Sequence, residues 1–312
     1  MRSQDSKIYG ASKFGRVAVV MGGKSAEREI SLKSGEAVLA ALLAEGIDAI
    51  AIDPTEELIA ELVSEKIDRV FIALHGPGGE DGVIQGALEV AGIPYTGSSV
   101  MASAIGMDKA KTKLVWTALG IPTPGFRLLE DDEELSADWQ LGFEFPIAVK
   151  PVSEGSSIGI HKIKDKAALP DGLASARKFG SAILLEQWIE GDDYTVAILN
   201  GKPLPAIRMN THHEFFDFDA KYRDESTDYQ CPCGLTLDEE AQLAELSLRA
   251  FNAVDCSGWG RVDFMRDAQG TFWVLEVNTV PGLTDHSLVP MAAAQAGLPY
   301  PELITEILAT SL

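Results

Sequence analysis

The chain has 312 residues, 46% of them apolar and 23% charged, a globular composition with enough length for two or three hydrophobic cores. Its formal net charge of −21 excludes a general affinity for nucleic acid, whose phosphates demand a basic surface. No run approaches the roughly 18 apolar residues that cross a bilayer, and the three cysteines, Cys231, Cys233 and Cys256, support neither a disulfide framework nor a zinc site.

Residues 1–15 are polar and lack an apolar signal region, so they read as a disordered tail, and the cytoplasm is the expected compartment. Strand and helix signals then alternate. A buried-strand run over 16–21 ends at Gly22-Gly23, and a helix over 28–45 is stopped by Gly46. A strand over 48–52, a helix over 56–64, a strand over 69–74 and a helix over 83–91 follow, with 94–97 leading into another strand or turn. This order predicts a parallel sheet with helices on its faces. Such sheets bind ligands beyond the carboxyl ends of their strands. Two polar, glycine-rich loops lie there, GGKSAE at 22–27 and HGPGGEDG at 75–82. Neither carries the dinucleotide or the Walker A spacing, which disfavours hydride transfer and P-loop chemistry.

From Met107 the pattern changes. A helix over 108–119 begins with Lys109, Lys111 and Lys113. Lysine at a helix start opposes the helix dipole, so Lys109 suggests an anionic partner. After a linker over 120–125, strands over 145–150 and 158–163 flank a Gly- and Ser-rich turn at 151–157. Lys150, at the end of the first, either reaches solvent or holds phosphates beneath the backbone N–H groups of that turn. A helix over 169–179 and a strand over 182–188 come next, and 192–199 pairs with 203–208 around Asn200-Gly201. Residues 209–233 show no period and read as a long lid-like loop. Thr236 and Glu239 form a capping box opening a helix to about 255, and helices start near Ser287 and Tyr300.

The most informative tract is GWGRVDFM at 258–265 with FWVLEVNTVPG at 272–282, a hairpin around Asp267–Gly270. A four-residue loop sets Arg266 opposite Thr271 and Arg261 opposite Glu276. Alternation then places Arg261, Asp263, Met265, Phe272, Val274, Glu276 and Asn278 on one face, and Val262, Phe264, Trp273, Leu275 and Val277 on the other. Two carboxylates and an amide beside an arginine make an oxygen-ligand site for Mg²⁺, which completes its shell with substrate phosphates. The alternative is a solvated face whose charges pair with one another.

The motifs GGKSAEREIS at 22–31, HGPGGEDG at 75–82, Met107-Asp-Lys109, EGSS at 154–157, Ala220-Lys-Tyr222, GWGRVD at 258–263 and LEVNTVPGLT at 275–284 resemble the D-alanine–D-alanine ligase family of ATP-grasp enzymes. The resemblance spans residues 16–308. It implies an α/β ATP-grasp fold with an N-terminal parallel-sheet, Rossmann-like domain over 16–108, a central α+β domain over 109–191, and a C-terminal α+β domain over 192–312 with its lid at 209–233. It implies two D-alanines joined through a D-alanyl phosphate for peptidoglycan synthesis, with ATP and two Mg²⁺ ions (Mn²⁺ able to substitute), in a cytoplasmic homodimer without membrane or nucleic acid partners.

By the same resemblance Asp263, Glu276 and Asn278 hold the metal ions. Lys109, Lys150 and Ser157 meet the α/β-phosphates and Lys221 the γ-phosphate. Glu186 and the backbone of Gln187, Trp188 and Ile189 read adenine, and Asp193 stands where the family commonly has the longer glutamate on ribose. Glu27 takes the first substrate's ammonium, and Ser156 and Tyr222 link to it under the closed loop. Arg261 stabilises the oxyanion, while Ser287, Leu288, Gly282 and His75 bind substrate. Another carboxylate–amine ligase of the same fold, or a nucleotide sensor without turnover, is the alternative.

Overall fold

The computed structural model describes residues 10–130, 141–155, 158–180, 182–211, 227–284 and 286–312. Among these residues three sheets organise the chain. In the first, β1 (Val17–Val20) lies between β2 (Ala49–Ile52) and β3 (Arg69–Ile72), all parallel, with Val17 level with Ala49 and Arg69. Every residue of β1 is buried, as a central strand covered on both faces requires. Helices α1 (Arg28–Ala44), α2 (Leu58–Ser64) and α3 (Val83–Ala91) follow their strands as the alternating signals predict. Tyr95 adds only a single bridge to Val70.

Of the tail expected over 1–15, residues 1–9 lie outside the described residues, and the rest is structured. Ala11–Lys13 forms a 3-10 turn, Phe14 is fully buried in the first core, and the Arg69 guanidinium donates to the Phe14 carbonyl at 2.6 Å. Composition hid this because one aromatic anchors an otherwise polar stretch. Helix α4 (Val100–Met107), missed for its weak periodicity, leads to α5 (Lys109–Ala118), whose first N–H groups are capped by Asp108.

The second sheet is antiparallel in the order β4 (Phe126–Leu129), β7 (Ile183–Gln187), β5 (Ile147–Pro151), β6 (His161–Ile163). Alternation sorts its faces. Ile147, Val149, Ile183 and Leu185 pack with Leu169 and Ala176 of α6 (Leu169–Ala176), while Ala148, Lys150 and Glu186 point the other way.

The third sheet runs β11 (Asp228–Gln230), β10 (Ile207–Asn210), β8 (Gly191–Leu199), β12 (Trp259–Asp267), β13 (Phe272–Asn278), with β9 (Lys202–Pro203) beside β8. The strand expected over 203–208 is thus two short pieces. The expected loop at 209–233 begins and ends as paired strands, Met209 facing Tyr229. Its centre, 212–226, lies outside the described residues. The inner face of β8, β12 and β13 packs on α7 (Leu237–Ala253), which opens with the Thr236–Glu239 capping box. Helices α8 (Leu288–Gln295) and α9 (Tyr300–Ala309) return to the first sheet, where Leu303, Ile304, Ile307 and Leu308 complete its core.

The register of β12 and β13 differs from the sequence expectation in an instructive way. Arg266 faces Phe272, one residue beyond the expected Thr271, so Phe272 and Val274 join Val262 and Phe264 in the core. A one-residue slip inverts the faces. A β-bulge between Asp263 and Phe264 then supplies a second shift, restoring the parity of Glu276 and Asn278. Asp263 faces Glu276 and Arg261 faces Asn278 directly. Leu275, expected in the core, lines a cavity beside Glu276.

Candidate active site

Two cavities meet at the β12–β13 hairpin. The first, about 430 Å³, lies between the open faces of the second and third sheets. Ala148, Lys150, Glu186, Gln187, Trp188 and Ile189 come from one side, and Asp193, Met209, Asp263, Met265, Leu275 and Glu276 from the other. The second, about 760 Å³, opens between the first sheet's loops and the segment after β13. Glu27, His75, Arg261, Asn278, Gly282, Ser287 and Leu288 line it. The residues expected for nucleotide and for substrate thus sort into separate but adjoining spaces.

Arg261 and Asp263 form much of the dividing wall. Arg261 donates from Nε and Nη2 to the two Asp263 oxygens, both at 2.8 Å. Thr195 Oγ1 donates to Asp263 Oδ1 at 2.6 Å and Asn278 Nδ2 to Oδ2 at 3.0 Å. The amide oxygen of Asn278 is therefore the atom it would offer a cation. No cluster of three or more His, Cys, Asp or Glu side chains suited to a metal occurs among the described residues. Two carboxylates and one amide do fit a hard cation that draws its remaining oxygens from phosphate and water.

The lysines are more constrained than their sequence positions suggested. Lys109 Nζ donates to the Glu154 carbonyl at 2.6 Å and lies 3.4 Å from a Glu276 oxygen, tying the 151–155 turn to the metal-suited face. Ala148 pairs with Glu186 across β5 and β7, so Lys150 sits diagonally from Glu186 on the same face and bonds to its Oε1. Glu186 Oε2 also pairs with Lys113 at 2.7 Å. Lys113, almost wholly buried, went unrecognised as part of the site; its place one turn beyond Lys109 on α5 was the available signal. Burial pushes its ammonium down to about 8 against the pull of Glu186. Burial equally opposes ionisation of Glu186, but Lys113 and Lys150 hold its carboxyl below the ordinary range. Lys113 continues to Thr123 Oγ1 at 2.6 Å, which donates to the Val274 carbonyl at 2.8 Å, linking the two sheets.

The strand expected to read adenine lines the first cavity, with part of its hydrogen-bonding capacity used within the protein. The Glu186 carboxylate is committed to two lysines. The Gln187 and Trp188 N–H groups bond to the Gly125 and Pro146 carbonyls at 2.7 and 3.3 Å, which leaves neither N–H for a base. The Trp188 ring instead carries the Lys162 ammonium 4.5 Å from its centroid.

In the second cavity Glu27 is 6% exposed at the start of α1. Its carboxylate is flanked by Gly76 and Gly155, where an added Cβ would lie 2.5 and 2.8 Å from Oε2. Gly282 gives the same latitude to Ser287, whose Oγ a Cβ would approach to 3.0 Å. Ser287 precedes α8 without capping it through its side chain; its hydroxyl accepts from the Thr284 N–H at 3.0 Å. His75 is buried with Nδ1 2.8 Å from the Val280 carbonyl and Nε2 3.3 Å from Ser34 Oγ. A carbonyl only accepts, so Nδ1 carries the proton and both ring nitrogens are committed to protein. His75, expected to bind substrate, lines the second cavity with its two ring nitrogens held by Val280 and Ser34. Ser156, Ser157, Lys221 and Tyr222 lie outside the described residues.

The chain matches known proteins along its length. The family descriptions "D-ala D-ala ligase N-terminus" and "D-ala D-ala ligase C-terminus" match residues 54–98 and 115–309. A D-alanine--D-alanine ligase of Ectopseudomonas mendocina is 56% identical over 96% of this chain and 95% of its own length. One of Methylococcus capsulatus is 53% identical over 98% of this chain and 99% of its own length. A crystal structure of D-alanine--D-alanine ligase from Bacillus anthracis complexed with ATP superimposes with a TM-score of 0.84 at 35% identity, covering 95% of this chain and 97% of that one. With its parallel sheet, its two facing antiparallel sheets and these relatives, the chain belongs to the D-alanine–D-alanine ligase family of ATP-grasp enzymes.

Proposed function

We propose that this enzyme joins two D-alanines into D-alanyl-D-alanine with cleavage of ATP, through a D-alanyl phosphate, as a step in peptidoglycan precursor synthesis. The observation that carries the reading is the meeting of a cavity bearing Lys150 and Lys162 and a second one bearing Glu27, Gly282 and Ser287 at Arg261, Asp263, Glu276 and Asn278. Lys150, fixed by Glu186, and Lys109, fixed by the Glu154 carbonyl, direct positive charge at the phosphates of ATP. Asp263, Glu276 and Asn278 would hold two Mg²⁺ ions, which neutralise charge on the transferring phosphoryl group.

Glu27 binds the ammonium of the first D-alanine, whose carboxylate becomes the acyl phosphate. Arg261 faces the acyl oxygen and stabilises its negative charge when the second amine adds. Gly282, Ser287 and Leu288 at the start of α8 receive the second substrate's carboxylate. Asp193 lines the first cavity and is the residue assigned to the ribose. Ser156, Ser157, Tyr222 and Lys221 keep the roles that the resemblance gives them. Water must be excluded while the acyl phosphate exists, the job assigned to the 209–233 lid. Domain limits at 108/109 and 191/192, a homodimer and a cytoplasmic location belong to the same proposal.

The test is phosphate release from ATP with D-alanine, with L-alanine and with no amino acid. Release that needs D-alanine and matches dipeptide formation supports the reading. Release driven only by another carboxylic acid points to a different ligase, and ATP binding without release to a sensor.

A further inference from the structure

An amino acid near neutral pH arrives as an ammonium, which has no lone pair for attack, so the second D-alanine must surrender a proton inside the site. Glu27 is assigned to the first substrate. His75 has no nitrogen to offer, with Nδ1 donating to Val280 and Nε2 facing the Ser34 hydroxyl. Two further carboxyls line the second cavity, Glu36 on α1 and Glu80 in the loop leading to α3, and Glu80 is the one bonded to the main chain just before Gly282.

Its geometry is that of a held base. Oε2 accepts the Gly76 N–H at 2.8 Å, and Oε1 accepts the Val280 N–H at 3.2 Å. Each oxygen retains a lone pair after these bonds. Val280 lies two residues before Gly282, so Glu80 is fastened to the segment that leads to the proposed carboxylate pocket at Gly282 and Ser287. Glu27 lies close by, its carboxylate against Gly76 and Gly155, and is the carboxyl assigned to the first substrate.

Resting on the proposed ligase reading, we infer that Glu80 accepts the proton of the second D-alanine's ammonium and so makes its amine nucleophilic. The ammonium N–H bond breaks, and the proton passes to the Glu80 carboxylate. The freed lone pair forms the C–N bond at the acyl carbon. The C–O bond to phosphate then breaks, and a second N–H proton leaves with the departing phosphate. Glu80 returns its proton to solvent when the cavity opens.

Electrostatics agree with this role. Burial, and then the nearby charge of Glu27, push the Glu80 carboxyl up to about 8, opposed by the two main-chain N–H groups and Arg261. Lys33 and Glu36 on α1, His286 beyond Gly282, Tyr229 on β11 and Tyr300 on α9 are the other charged or titratable side chains at this cavity. An incoming ammonium adds positive charge beside the two carboxyl groups and so favours the ionised form. The catalytic form is the carboxylate, so use of the second D-alanine rises with pH until Glu80 is ionised.

Hydroxylamine separates a base from a structural residue. It is neutral near pH 7 and traps the acyl phosphate as D-alanine hydroxamate without needing deprotonation. Glu80→Gln is expected to lower kcat/KM for dipeptide by about 10²- to 10³-fold. Hydroxamate formation and KM for ATP are expected to stay within about twofold of the unmutated enzyme, with the thermal midpoint recorded alongside. Equal loss of both products overturns the proposal in favour of a structural role, as does unchanged dipeptide synthesis. The unmutated enzyme gives an independent reading. Its kcat/KM for the second D-alanine should rise about tenfold per unit of pH and level near pH 8. A rise that continues to the amine's own, more alkaline titration means that the substrate arrives deprotonated, and Glu80 is not the base. If the unmutated enzyme forms no hydroxamate from ATP and D-alanine, the ligase reading itself fails.

Discussion

Glu186 shows how a single buried side chain organises the lysines at the wall of the first cavity. A carboxylate at 2% exposure survives only because Lys113 and Lys150 bracket it, and each lysine is held in turn. Neutralising the centre of such a triad leaves two ammonium groups facing each other with little solvent between them. Glu186→Gln is therefore expected to lower stability by about 3 kcal/mol, read as a fall in the urea midpoint with the slope unchanged. It should also raise KM for ATP, because Lys150 loses the anchor that fixes its ammonium. A midpoint within error of the unmutated protein would mean that the triad is solvated and that Lys150 is positioned by something else. Sequence could not have assigned this role, since alternation places Lys150 and Glu186 on a face but does not say that a helical lysine reaches the other oxygen of Glu186.

At the scale of elements, local signals were read correctly where the physics is local. The Thr236–Glu239 capping box forms as expected, with Glu239 N–H donating to Thr236 Oγ1 at 3.3 Å and Thr236 N–H to Glu239 Oε2 at 2.9 Å. Thr236→Ala should cost about 1 kcal/mol while leaving D-alanine-dependent phosphate release unchanged, since α7 packs behind the third sheet, away from both cavities. A matching loss of activity would show that α7 communicates with the hairpin more tightly than its position implies. The hairpin itself was legible in type and in its ligand cluster but not in register. Its loop length and its bulge are set by tertiary packing, Phe272 and Val274 against α7 on one face and Leu275 in the nucleotide cavity on the other. The two shifts add to two residues, which returns Glu276 and Asn278 to the expected face, so the metal-suited face is legible although the register differs. Glu80 and Lys113 stayed hidden for another reason: their chemistry depends on burial, which a glutamate in a glycine-rich loop and a lysine in a helix do not announce.

The molecule as a whole carries 47 acidic and 26 basic residues, yet several lysines gather at the cavity assigned to the polyanionic nucleotide. Lys109, Lys113, Lys150 and Lys162 all lie at or beside the cavity between the second and third sheets, inside a surface of the opposite sign. These two features respond to salt in opposite directions. Net charge of −21 strains the compact state by self-repulsion, and screening relieves it as the Debye length falls from about 30 Å at 0.01 M to about 10 Å at 0.1 M. Stability should therefore rise by about 1 kcal/mol over that range, seen as a thermal midpoint that climbs with NaCl. Attraction between the cavity lysines and ATP is screened by the same ions, so KM for ATP should climb as well. One titration thus tests both halves of the charge distribution. A midpoint that falls with salt would show that local ion pairs such as Arg28–Asp53 outweigh the global repulsion. A KM that stays flat while the midpoint rises would instead place the phosphate-binding lysines too deep for bulk ions to reach, which their burial beside Glu186 makes the sharper of the two outcomes to measure.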